Sequence, residues 1–215
     1  PSVIVDTTTN ASRLTPELSD EIIDSGLDKI YISLQGMTKE SYKKVAAVDT
    51  DVDKLFENVI YFCENRKQCQ VYIKQPDIGV DAIERKQFFE FFDRHADELF
   101  IEHITPVWPE FDISNVKKDD GLGYYGAPVE SVYVKACPII FYTLNINYDG
   151  AVDLCPADWS HKTPLGDVRE QSLYEIWHSS CFNDLRRQHL RGDRASHPVC
   201  GPCTTLQYCD VDKID

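Results

Sequence analysis

The sequence predicts an α/β fold of parallel strands alternating with helices, followed by a small α+β module built on a β-hairpin and a cysteine-rich loop. Three observations carry this. Residues 1–110 alternate short β-branched runs with segments of helical period, Asp149-Gly150 marks a tight turn between two short runs, and six of the eight cysteines fall between Cys137 and Cys209.

Each element has its own signal. Residues 3–6 (Val-Ile-Val-Asp) form a β-branched run. Thr15-Pro16, then Leu18, Ile22 and Ile23, then Gly26, read as a capped helix. Residues 29–34 predict the next strand, and Leu55, Val59, Phe62 and Cys63 at helical spacing predict a long helix. Residues 70–74 give a third strand and residues 99–104 a fourth, separated by a helix marked by Ile83, Phe88, Phe91 and Phe92. Strands separated by helices of this length pair in parallel, so Val3, Ile30, Val71 and Phe100 are expected on neighbouring parallel strands. The aromatic run Phe88, Phe89, Phe91 and Phe92 covers more than one helix face and is read as core.

After Trp108-Pro109 the periodicity fails, and residues 111–130 read as a linker rich in Asp, Gly, Tyr and Lys. The second module occupies residues 131–215. Residues 139–147 and 151–154 flank the Asp-Gly turn as a hairpin, because this dipeptide readily adopts the positive φ of a tight turn. Two short helices, at 172–179 and 181–190, precede the cysteine-rich end.

Composition narrows the function. The 36 acidic and 22 basic residues give a net charge of −14, which argues against a surface that tracks nucleic-acid phosphates. No apolar run reaches the roughly 18 residues of a membrane span, and no signal pattern opens the chain, so a cytoplasmic protein is expected. In a reducing compartment a cysteine cluster is read as metal binding before disulfides. Cys137 precedes the hairpin and Cys155 ends it, so two thiols can converge on one side of it. Cys200-Gly-Pro-Cys203 brings two more within reach of one centre. Four thiolates suit a four-iron cluster or a structural zinc. Cys63, Cys69 and Cys181 lie on or beside regular elements and are read as inert buried thiols. His197 is read as a solvated loop histidine, and His161 as a loop residue with no evident partner.

The run Cys137, twelve residues, Gly150, four residues, Cys155, then Cys200-x2-Cys203-x5-Cys209 resembles the SPASM and twitch auxiliary-cluster domains of radical S-adenosylmethionine enzymes. Residues 164–169 (Pro-Leu-Gly-Asp-Val-Arg) and 172–177 (Ser-Leu-Tyr-Glu-Ile-Trp) are similar to the segment those domains carry between their halves. Thr8-Thr9-Asn10 and residues 32–36 (Ile-Ser-Leu-Gln-Gly) resemble the ends of the third and fourth strands of that family's barrel.

The resemblance implies a partial (β/α) barrel followed by a SPASM/twitch-like domain. It implies S-adenosylmethionine near Asn10 and Ser33, and an auxiliary [4Fe-4S] cluster on Cys137, Cys155, Cys200 and Cys203. It further implies a small-molecule or peptide substrate, and an external electron donor or acceptor such as a flavodoxin or ferredoxin. The expected activity is that of an oxidoreductase or maturase, with the auxiliary cluster transferring electrons.

The family's Cys-x3-Cys-x2-Cys loop and Gly-Gly-Glu strand are absent, Gln35 stands where an Asp is usual, and Lys213 stands where a further cysteine is expected. These departures imply a chain lacking the first strand-helix units of the barrel, unable to cleave S-adenosylmethionine by itself, and carrying one auxiliary cluster rather than two. Two alternatives stay open: a non-catalytic zinc or iron-sulfur module, and a ferredoxin-like carrier serving a partner.

Overall fold

The computed structural model describes residues 3–105, 121–128 and 135–208. The chain forms two compact units, residues 1–104 and 105–215.

In the first unit β1 (Asp6–Thr9), β2 (Lys29–Ser33), β3 (Gln70–Pro76) and β4 (Glu98–Glu102) form one sheet in the order β1-β2-β3-β4. Every pairing is parallel, with Thr7 opposite Ile30, Ile30 opposite Val71 and Lys74 opposite Phe100. The parallel sheet is the expected one, but its first strand starts later than predicted. Val3 precedes β1 and is 84 % exposed, because the chain pairs through Asp6–Thr9 and leaves the apolar residues before it outside the sheet.

The helices are α1 (Pro16–Asp24), α2 (Lys39–Ala46), α3 (Val52–Asn65) and α4 (Ala82–Phe92). Thr15 caps α1 by accepting the Leu18 N–H, with Pro16 in the first turn where its missing N–H costs nothing. The predictions above did not include α2. It is short and polar, and its signal is a capping box between Thr38 and Ser41 rather than an apolar stripe.

Strand alternation puts Ile30, Ile32, Val71 and Ile73 on one face, where they join Ile23, Tyr42, Phe62, Phe88 and Phe92 of the four helices in one apolar cluster. The opposite face carries Tyr31 stacked on Tyr72, ring centroids 4.8 Å apart, and Lys74 paired with Glu102 at 2.9 Å. Within α4 only part of the aromatic run is core. Phe88 and Phe92 are fully buried, whereas Phe89 and Phe91 are 40 % and 42 % exposed, since residues one apart point to different helix faces. Among the described residues no helix is long and apolar enough to cross a membrane.

In the second unit β5 (Asn145–Ile146), β6 (Ala151–Asp153) and β7 (Pro164–Asp167) form an antiparallel sheet. The hairpin is present but its first arm is short, because Ile139–Phe141 is a 3-10 turn. Helices α5 (Leu173–Trp177) and α6 (Ser180–Leu190) follow. Ile140, Val152, Leu154, Ile176, Phe182 and Leu185 make the core of this unit. Arg186 is buried with them, its guanidinium 4.0 Å from the Trp177 ring centroid and 3.7 Å from that of Phe182. Its Nε donates to the Ile140 carbonyl at 3.0 Å and its Nη1 to that of Trp177 at 2.7 Å.

Gly150 closes the hairpin turn with φ +92°, and a Cβ there would lie 3.1–3.2 Å from the Arg169 side chain. Gly150→Ala is therefore expected to cost more than about 1 kcal/mol. In a unit of this size that lowers Tm by roughly 4–8 °C. An unchanged melting curve would contradict the turn geometry.

Candidate metal centre

Three segments of the second unit bring the four predicted thiols to one place. Cys137 lies just before the 3-10 turn that Arg186 anchors through Ile140. Cys155 follows β6, whose Val152 and Leu154 are buried in the core. The loop after Cys155 is closed by Asp158, which donates its N–H to the Cys155 carbonyl at 3.0 Å. The Asp158 carboxylate accepts the N–H groups of Lys162 and Thr163 at 3.0 and 2.8 Å. Cys200 and Cys203 sit on a tight turn in which Gly201 has no room for a side chain, since a Cβ there would meet the Ala195 carbonyl oxygen at 2.4 Å. Gly201 N–H also donates to the His197 carbonyl at 2.8 Å.

All four thiols line a single cavity of about 310 Å³. Its wall is otherwise largely apolar, with Ile139, Ile140, Val199 and Leu206, and the charged residue described on it is Arg194. Cys200 is buried. Burial first, then neighbouring thiols, raise the pKa values of Cys137, Cys155 and Cys200. Cys155 is pushed up to about 11, with Cys203 and Cys137 adding to the burial effect. Burial also raises Cys137, with Cys203 adding to it, and Cys200, with Cys155, Cys137 and Cys203 adding to it. Mutual repulsion of this kind is relieved by a cationic centre bound between the sulfurs.

The donor set therefore fits a thiolate-held metal group, a four-iron cluster or a zinc. A tetrahedral zinc needs its sulfurs at about 2.3 Å from one point. Among the described residues no three His, Cys, Asp or Glu side chains converge closely enough to hold one metal ion.

The remaining predicted residues are placed as follows. Ser33 ends β2, half-buried and in register with Lys74. Asn10 follows β1 and is exposed, and its Oδ1 accepts the Ser12 N–H at 3.0 Å, so this oxygen serves a local turn. Cys63 and Cys69 are buried in the first unit, and burial pushes the Cys63 thiol up to about 12. Cys181, in the first turn of α6, is exposed rather than buried. Cys209 lies outside the described residues.

Two histidines contradict or exceed the sequence reading. His197 is not simply solvated: its Nδ1 accepts the backbone N–H groups of Val199 and Cys200, both at 3.3 Å. His161 does have a partner, with Nδ1 against the Asp153 carboxylate, which raises the histidine pKa. Sequence reasoning gave no role to His189 on α6 or to Arg194. The Nδ1 of His189 accepts the Cys137 N–H at 3.2 Å, and Arg194 Nη1 donates to the Cys200 carbonyl at 2.8 Å. The nearness of His197 to Cys200 was visible in the sequence, whereas His189 is brought to Cys137 across 52 positions by the fold alone.

Comparison with known proteins agrees with this site. Residues 137–204 match the SPASM family, described as an iron-sulfur cluster-binding domain. A stretch of 66 residues is 27 % identical to the S-adenosyl-L-methionine-dependent 2-deoxy-scyllo-inosamine dehydrogenase of Niallia circulans, covering 31 % of this chain and 26 % of the dehydrogenase. Among solved structures, Streptococcus suis SuiB bound to S-adenosylmethionine superposes with a TM-score of 0.60 at 14 % identity, over 95 % of this chain and 53 % of SuiB. Native anSMEcpe with bound AdoMet gives a TM-score of 0.60 at 13 % identity, over 97 % of this chain and 65 % of its own length. The chain thus spans about half to two-thirds of these structures. Residues 137–204 match the SPASM iron-sulfur cluster-binding domain, on a chain whose fold is like that of SuiB and anSMEcpe.

Proposed function

We propose that Cys137, Cys155, Cys200 and Cys203 hold one auxiliary [4Fe-4S] cluster that carries electrons during radical oxidation of a substrate. The observation that carries this is the single cavity lined by all four thiols, with a largely apolar wall. A bound cluster supplies one-electron redox chemistry, its potential set by burial, charge and hydrogen bonds to sulfur. The chain's own contribution is to hold it by four thiolates, keep water from it with Ile139, Ile140, Val199 and Leu206, and place the Arg194 cation beside it. Four cysteines fill the outer iron positions, which favours electron transfer over direct binding of substrate.

In this reading S-adenosylmethionine binds at the C-terminal ends of β1 and β2. Ser33, together with the amide nitrogen that Asn10 does not use in its turn, faces it there. The proposed substrate is a peptide or a small molecule, by analogy with relatives of both kinds: SuiB has been captured with its precursor peptide SuiA, and the 27 % identical relative is a dehydrogenase of 2-deoxy-scyllo-inosamine. A flavodoxin or ferredoxin is the proposed external redox partner.

Potentiometric titration of the anaerobically reconstituted chain, followed by EPR, tests the role. A reversible one-electron couple assigned to the cluster is expected. A centre that stays redox-silent over the range accessible to flavodoxins and ferredoxins would overturn it.

A further inference from the structure

The four thiols account for the ligands but not for the two imidazoles beside them. His189 is 0 % exposed, and its Nδ1 accepts the backbone N–H of Cys137. His197 does the same for the other arm of the site, accepting the N–H groups of Val199 and Cys200. A backbone N–H can only donate, so in both rings Nδ1 carries no proton and the neutral ring has its proton on Nε2.

For His189 that tautomer leaves a buried Nε2–H with no hydrogen-bond partner among the described residues. Buried polar groups are normally paired, and an apolar side chain of similar size would fill the same space without burying an unsatisfied donor. Packing therefore does not account for a histidine here. What the imidazole supplies and an apolar residue cannot is an acceptor for the Cys137 N–H.

We propose that His189 and His197 are positioning residues of the cluster site, each fixing the backbone of one cluster cysteine and so the direction in which its sulfur points. Arg194 supports the same turn from its carbonyl side, donating to the Cys200 oxygen. This rests on the reading that the four cysteines hold the cluster. It adds that the site is braced before the cluster binds, and that two cysteine N–H groups are engaged by nitrogen and withheld from cluster sulfur. Since hydrogen bonds to sulfur help set a cluster's potential, releasing them changes that potential.

The test uses the full chain, reconstituted anaerobically as wild type, His189→Leu, His189→Asn, His197→Leu and His197→Asn. Iron and sulfide retained against a chelator, the EPR spectrum of the reduced cluster and its midpoint potential are measured, with circular dichroism reporting the fold. Asn keeps an acceptor close to the position of Nδ1, and Leu does not. The Leu variants are expected to hold iron about tenfold or more weakly, with an altered spectrum and potential in what remains, and the Asn variants to recover most of both. Wild-type retention, spectrum and potential in the Leu variants would overturn the proposal, as would Asn variants no better than Leu. If the buried His189→Leu chain does not fold, His197→Leu and its Asn partner decide by the same outcomes, because His197 lies on a half-buried loop. A wild-type chain that takes up no iron would instead sink the cluster reading itself, and the brace with it.

Discussion

Cys203→Ser is expected to remove most of the iron from the reconstituted chain, whereas Cys181→Ser leaves it unchanged. The physical basis is the position of the two thiols. Cys203 lines the cavity with Cys137, Cys155 and Cys200, and its Sγ also donates to Thr205 Oγ1 at 3.4 Å. Cys181 is exposed on α6. A serine hydroxyl is a poor ligand for iron at neutral pH, so one substitution leaves an incomplete ligand set. Cys209→Ser is expected to behave like Cys181→Ser, because four cysteines already complete one cluster. Iron and sulfide analysis of the three variants checks this. A Cys209→Ser loss as large as that of Cys203→Ser would mean that Cys209 is a ligand and one of the four is not.

Phe92→Ala is expected to destabilise the first unit by about 3–5 kcal/mol. Its ring is fully buried and packs edge-on against Phe56 at 5.2 Å between centroids, with Phe88 at 5.8 Å and Phe91 at 4.8 Å. Deleting it removes the apolar contacts and leaves a cavity in a layer that the sheet and helices cannot easily collapse to fill. Phe91→Ala, at a position 42 % exposed, should cost about 1 kcal/mol or less. Urea denaturation of the two variants, followed by far-UV circular dichroism, gives the comparison. Equal losses would show that the helix faces are assigned wrongly.

That contrast also marks what the sequence could and could not convey. Period and spacing were enough for the parallel order of β1 to β4, because βαβ connections leave few topologies. They could not separate Phe88 and Phe92 from Phe89 and Phe91, since four aromatics within five residues blur the helical stripe. The start of β1 was misplaced because the β-branched signal of Val3, Ile4 and Val5 belongs to residues that the sheet does not pair. The Asp-Gly turn and the four cavity cysteines were legible because their spacing is itself the local geometry. The role of His189 was not, because a buried polar residue in a helix announces itself only when the fold brings a partner to it, here the Cys137 N–H.

The most direct test of the cluster assignment is the metal and sulfide content of the chain after anaerobic purification and reconstitution, measured for the wild type and for a variant with Cys137, Cys155, Cys200 and Cys203 all changed to serine. About four irons and four sulfides per chain are expected for the wild type, and close to none for the variant. One zinc per chain without sulfide, or iron and sulfide retained after all four thiols are gone, would contradict the assignment.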